Sequence, residues 1–247
     1  MTTIGLAVML AAVCGAQVEP DTRTIRVPNT TVSLTLVRCP ADGDARELWV
    51  LETEVPWELY DIFVYSLDVP EDEKDADAVA RPSKPYVPPD RGFGHDGYPA
   101  MGMTRDAAAA FCEWLGERIG LALRLPTEAE FARFADADDA SVWHAGNADR
   151  STHPVQSKPA NHLGLFGTRG NVAEWVSSDE RRPVAMGGSY LDPIEACAPD
   201  AKQTQQRSWN ASDPQIPKSK WWLADCSWVG FRFVTQDTPT ESTPEEE

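Results

Sequence analysis

With 39 acidic against 22 basic side chains, the 247-residue chain carries a formal charge of −17, which argues against nucleic acid and anionic membrane as partners, since both need clustered Lys and Arg. The length suffices for one large domain with a full core, or for two small ones. Much of the charge lies in Asp68–Asp77 and Asp237–Glu247, which read as solvated acidic stretches.

Residues 1–16 have no charged side chain; Ile4–Val13 is a short apolar run and Cys14-Gly15-Ala16 a small-residue cleavage site. This segment reads as a secretory signal peptide, which makes the mature chain secreted or periplasmic. The run is too short to span a bilayer, and no other stretch is long and apolar enough to do so. Cys39, Cys112, Cys197 and Cys226 remain, an even set that permits two disulfides in three pairings. Cys112, between Phe111 and Trp114 on a predicted helix, reads as a buried free thiol.

Val32–Cys39 alternates apolar and polar residues as a half-buried strand, and Leu48–Thr53 is its antiparallel partner across the polar turn Ala41–Asp44. Pro56 suits a first helical position, followed by a partly helical apolar face of Trp57, Tyr60, Ile62, Phe63 and Leu67. Arg81–Gly97, rich in Pro and Gly, is a long irregular connection. Thr104 caps a helix through Ile119 that Gly120 ends. Leu121–Leu125 is expected to be a short strand, and Thr127 with Glu130 forms a capping box for a helix over Glu128–Ala137. From Ala140 onward, Gly, Asn, Pro and Trp recur between strand-like pieces at Val172–Val176, Val184–Met186 and Gly230–Val234. Two helices among long loops and short strands predict one α+β domain of low regular content over residues 23–234, with a disordered acidic tail over 235–247.

Four strings stand out within that domain: RLPTEAEF (Arg124–Phe131), GNVAEWV (Gly170–Val176), MGGSY (Met186–Tyr190) and VGFRFV (Val229–Val234). Together with ETEVPWELYDIF (Glu52–Phe63) and GYPAMGMTRDAAAAFCEWL (Gly97–Leu115), and in this order, they resemble the formylglycine-generating enzyme family, also called the sulfatase-modifying-factor family. The resemblance runs from about Leu48 to Val234 and implies a C-type-lectin-like fold, in which two helices and a small twisted sheet support an extensive loop region. Locally, RLPTEAEF is structural: Thr127 and Glu130 satisfy helix-start amides and Arg124 pairs with a carboxylate, so Glu128 and Glu130 are not read as catalytic.

The resemblance also implies chemistry. In the family, the GNVAEW segment wraps calcium with hard oxygen donors, which here would be the carbonyls of Gly170 and Val172 and the Glu174 carboxylate. Gly167 stands where the family has a further Asn or Asp ligand. The competing reading of Glu174 is a buried salt bridge to Arg232. Asn147 is the candidate for a second calcium site. In the oxidases, a serine equivalent to Ser189 faces the groove, and two cysteines bind copper, because thiolates suit the soft Cu(I) ion. The catalytic candidates by resemblance are therefore Ser189 and Cys197. Asp192 occupies the first cysteine position, Ala173 replaces a groove tryptophan, and a Cys197–Cys226 bridge would remove the remaining thiol, so copper is not expected. His95, His144, His153 and His162 lack the spacing of an iron site. Trp209, Trp221, Trp222 and Trp228 either line a recognition pocket or pack in the core, the second reading applying to at least two. Two functions follow: an exported module that binds a protein or small-molecule ligand at its loop face, or a divergent formylglycine-generating oxidase or related metal-dependent oxygenase.

Overall fold

The computed structural model describes residues 19–70, 72, 81–85, 88–136 and 138–239. The expected signal peptide, most of the acidic stretch after Asp68 and residues 240–247 of the expected tail lie outside these. Two four-stranded sheets carry the chain. The first holds β1 (Thr22–Arg26), β2 (Ser33–Cys39), β3 (Leu48–Leu51) and β8 (Val234–Thr235), in the order β1-β2-β3-β8 and antiparallel throughout. The second holds β4 (Ala173–Val176), β5 (Val184–Met186), β6 (Lys202–Thr204) and β7 (Val229–Gly230), ordered β6-β5-β4-β7, with β4 and β7 parallel. The helices are α1 (Trp57–Tyr65), α2 (Arg105–Ile119) and α3 (Glu128–Phe134). The α+β, lectin-like architecture expected from the sequence is present.

Alternation places β3 between two cores, because successive side chains of a strand face opposite ways. Trp49 and Leu51 join α1 and α2 on one side, where Tyr60, Phe63, Phe111, Phe231 and Phe233 pack. Leu48 and Val50 meet Phe131 and Phe134 of α3 on the other. The helix ends follow the caps. The Thr104 hydroxyl accepts from Ala107 N at 3.1 Å, Gly120 closes α2 at φ 71°, and α3 has the full Thr127–Glu130 box.

Several expectations need correction. Leu121–Leu125 is not a strand; only Arg124 bridges to Val234. Gly230–Val234 is not one strand either: β7 ends at Gly230 in one sheet and β8 begins at Val234 in the other, so Phe231-Arg232-Phe233 crosses between sheets. Leu67 is 52% exposed and leaves the apolar face of α1. Asp68 is buried rather than solvated. Burial alone would raise its pKa, but Arg81 and Arg118 hydrogen-bond the carboxylate at 2.8–3.1 Å and hold it below the ordinary range. β1 and β6 went unread because their sequences, TRTIR and KQT, are mostly polar edge strands.

The crossing segment delivers a charge to the interior. Arg232 is fully buried, and its Nε and Nη2 donate to the Glu174 carboxylate at 2.7–3.0 Å. Its remaining donors reach the carbonyls of Leu51 (3.3 Å), Phe166 (2.8 Å) and Gly167 (3.0 Å). A second carboxyl, Glu54, is buried beside them and accepts from Asn171 Nδ2 at 3.0 Å. Gly167, at φ 57°, leaves room for it, since a Cβ there would collide with the Glu54 carboxylate. One guanidinium serves two acids, and Glu174, with three of its hydrogen bonds, is the charged partner. Burial pushes Glu54 up to about 8, from an ordinary 4.5.

A raised folded-state value means that Glu54 contributes stability that is full below about pH 4.5 and lost as pH rises through about 8. The melting midpoint should therefore fall between pH 5 and pH 8.5, and Glu54→Gln should flatten that slope. At pH 8 the variant should be the more stable, with the higher melting midpoint, because it cannot take on the buried charge. An unchanged slope in Glu54→Gln would assign the pH dependence to another group.

Candidate functional site

The MGGSY turn sits where β5 ends. At Gly188, φ is 70° and a Cβ would lie 2.5 Å from the Ala196 carbonyl and 2.8 Å from Cys197 Sγ. Only glycine lets the Ile194–Ala196 turn pack this closely. That approach brings together the two catalytic candidates: Cys197 Sγ lies 3.7 Å from the Ser189 carbonyl oxygen and donates to it.

Their surroundings are structural rather than reactive. Ser189 and Cys197 are both fully buried. Asp192 Oδ2 accepts from Ser189 Oγ at 2.6 Å, from Ser189 N at 2.9 Å and from Gln203 Nε2 at 2.7 Å. Gln203 in turn accepts from Trp228 Nε1 at 3.1 Å. Burial, followed by the nearby Asp192 charge, pushes the Cys197 thiol up to about 11. The group is thus a protonated thiol at neutral pH, whereas nucleophile and metal ligand alike must be thiolate. A protonated sulfur beside a carboxylate already holding three hydrogen bonds does not fit a two-thiolate copper site. Cys226 is also buried, with its thiol raised to about 12 by burial. Cys39, Cys112, Cys197 and Cys226 are all free, so the Cys197–Cys226 bridge is absent, and Cys112 is the buried free thiol its helix position suggested.

The calcium candidates share one region. Gly170, Val172 and Glu174 lie on the segment entering β4, and Gly170 bridges to Trp143, in the loop that also carries Asn147. The side-chain oxygens of Glu174 and Asn147 are otherwise engaged. Arg232 holds the Glu174 carboxylate and the Gly167 carbonyl, placing a fixed positive charge where a cation would need those oxygens. Asn147 Oδ1 accepts from His144 N at 2.8 Å, and its amide donates to Val142 O at 3.0 Å. Glu174 as arranged does not fit a calcium ligand. Among the described residues, no three His, Cys, Asp or Glu side chains converge as a metal site, and no helix is long and apolar enough to cross a membrane.

The four tryptophans divide evenly. Trp209 and Trp221 are 7% exposed and belong to the core, while Trp222 and Trp228 are half-buried at its edge. Trp222 walls a cavity of about 230 Å³ with Pro85, Pro89, Met101, Pro214 and Leu223. Lys84, Arg91 and Asp213 add charge to its lining. Trp222 is held by an indole hydrogen bond to Ser83 O at 2.8 Å and an edge contact with Tyr60. The cavity residues come from segments far apart in sequence, so spacing offered no signal beyond the tryptophans themselves. Glu54 was missed as well, since beside Glu52 and Thr53 it looks like one more polar residue of a strand end.

Comparison with known proteins agrees with this geometry. Residues 15–236 match the sulfatase-modifying factor enzyme 1-like domain family. The formylglycine-generating enzyme of Streptomyces coelicolor is 28% identical, over 49% of this chain and 50% of that protein. The serine/threonine-protein kinase pkn1 of Chlamydia caviae is 31% identical, over 41% of this chain and 16% of the kinase. The chain spans half or less of the length of these curated relatives. Among solved structures, Treponema denticola variable protein 1 superposes with a TM-score of 0.61 at 19% identity, over 88% of this chain and 100% of that one. PvdO from Pseudomonas aeruginosa gives 0.55 at 17% identity, over 87% and 91%. At such identities the structural likeness is one of fold, but the family match covers most of the chain. The chain belongs to the sulfatase-modifying factor enzyme 1-like domain family.

Proposed function

We propose that this domain recognises a ligand or partner protein on its loop face, at the Trp222 cavity, and does not make formylglycine. The observation that carries this reading is the state of Cys197: a buried, protonated thiol opposite Asp192, where the oxidase chemistry needs a pair of thiolates. The cavity supplies what a recognition site needs instead, an apolar wall with a few charged groups in its lining. Export belongs to the same reading and rests on the apolar, uncharged residues 1–16.

The direct test incubates a sulfatase-motif peptide with the purified protein, copper and a reductant, followed by mass spectrometry. The peptide cysteine is expected to stay unmodified. Its conversion to the aldehyde, lost in Cys197→Ala, would establish the oxidase reading instead.

Calcium is tested separately. An ion at 100 times its dissociation constant would add about 2.7 kcal/mol, or about 5–10 °C in the melting midpoint of such a domain. Because Arg232 already neutralises Glu174, the midpoint should be the same in calcium and in chelator. A rise in calcium of that size, absent in Glu174→Gln, would mean that the ion displaces the guanidinium.

A further inference from the structure

The chain is strongly acidic, yet one groove on its surface is not. It runs past the N-terminus of α2, the connection between β4 and β5, and the segment after β6, and encloses about 1030 Å³. Arg105, Arg181, Arg182, Arg207 and Lys220 line it, against only Asp106 and Glu180. An excess of three positive charges in one groove of a chain of net charge −17 is a local inversion of sign. Asp106 is occupied by Arg105 at 3.0 Å, and Lys220 stands 4.5 Å over the Trp221 ring. Arg181 and Arg207 are exposed. Arginine presents a planar fork of donors that matches carboxylate oxygens two at a time.

This groove adjoins the Trp222 cavity, since Ser219 lines both. The shared wall is rigid: Ser219 N donates to Asp213 Oδ2 at 2.7 Å, and Ser219 Oγ accepts from the amides of Trp221 and Trp222 at 3.1 Å. An apolar compartment thus opens beside a cationic one across a single residue.

Resting on the loop-face reading above, we infer that the ligand is an extended acidic peptide segment, its apolar side chain seated against Trp222 and its following carboxylates laid along Arg181, Arg182 and Arg207. The two compartments together exceed the space a small molecule usually fills, about 300–1000 Å³. A nucleic-acid strand carries a phosphate at every nucleotide and would meet the acidic surface beyond the groove. A peptide with only a few carboxylates would not.

The probe is a fluorescent peptide of one phenylalanine followed by three glutamates, with a glutamine analogue as control, read by anisotropy. The glutamate peptide should bind at least about tenfold more tightly than the control, and more weakly as salt rises, because exposed charges are screened. Arg181→Glu combined with Arg207→Glu should remove that advantage without changing the melting midpoint, both residues being exposed. Trp222→Ala should weaken both peptides. Equal affinity for the two peptides, no effect of the charge reversal, no binding at all, or equally tight binding of an oligothymidylate would each overturn the acidic-peptide inference. If Trp222→Ala still weakens binding while charge reversal does not, the loop-face site stands and only the cationic groove is wrong. If neither variant matters, both readings fall.

Discussion

Arg232 is the interaction on which the fold turns. A buried guanidinium is costly to desolvate and is tolerated only when its donors are met, and here they reach one carboxylate and three carbonyls. Those acceptors come from β3, from the Phe166-Gly167 segment and from β4, so one side chain ties together segments up to 181 residues apart. In a domain whose strands are as short as two residues, backbone ladders alone give little cross-linking. Removing one partner would leave an unpaired buried charge, at a cost of about 3–5 kcal/mol.

That network also decides what the neighbouring loops can hold. With Gly167 lacking a side chain, Glu54 enters the space and the polar centre becomes two acids around one arginine. Positive charge is therefore supplied by the chain itself. A similar substitution of role occurs at Asp192. Where a thiolate would hold a metal, a carboxylate ties the turn after β5 to Gln203 of β6, and Gln203 carries Trp228. In both places a group able to bind an ion has become an internal hydrogen-bond acceptor.

Much of the fold was legible because the caps and alternation are local. Thr104, Gly120 and the Thr127–Glu130 box mark helix ends within a few residues, and Leu34, Leu36, Val37 and Cys39 divide between the two faces of β2 as the alternation requires. What stayed hidden depends on partners distant in sequence. Asp68 looks like the first member of an acidic run until Arg81 and Arg118 close on it. VGFRFV looks like one strand, although its ends pair in different sheets. For the site, Ser189 and Cys197 were named by the family resemblance but their contact was not, and the Glu174–Arg232 bridge was one of two open readings. The cavity and the cationic groove could not be read, since Pro85, Met101 and Trp222, or Arg105, Arg181 and Arg207, share no spacing.

The loop beside the Trp222 cavity is organised independently of this frame. Asp213 organises its loop from within, accepting from the amides of Gln215 at 2.9 Å and Ser219 at 2.7 Å and from Asn210 Nδ2 at 3.2 Å. Two further contacts fasten that loop to the segment preceding α2: Trp222 Nε1 to Ser83 O, and Arg91 to Ala224 O at 2.5 Å. The Gln215 and Ser219 amides that donate to Asp213, and the Ala224 and Ser83 carbonyls that accept from Arg91 and Trp222, are backbone groups that a change of side chain at those positions would leave in place. The side chains at Pro214, Gln215 and Ile216, the last 98% exposed, carry none of the core. Changes at Pro214 or Gln215 would reshape the cavity lining while Arg232, Glu174 and Glu54 continue to hold the domain together, since surface loops tolerate substitution better than the elements they connect.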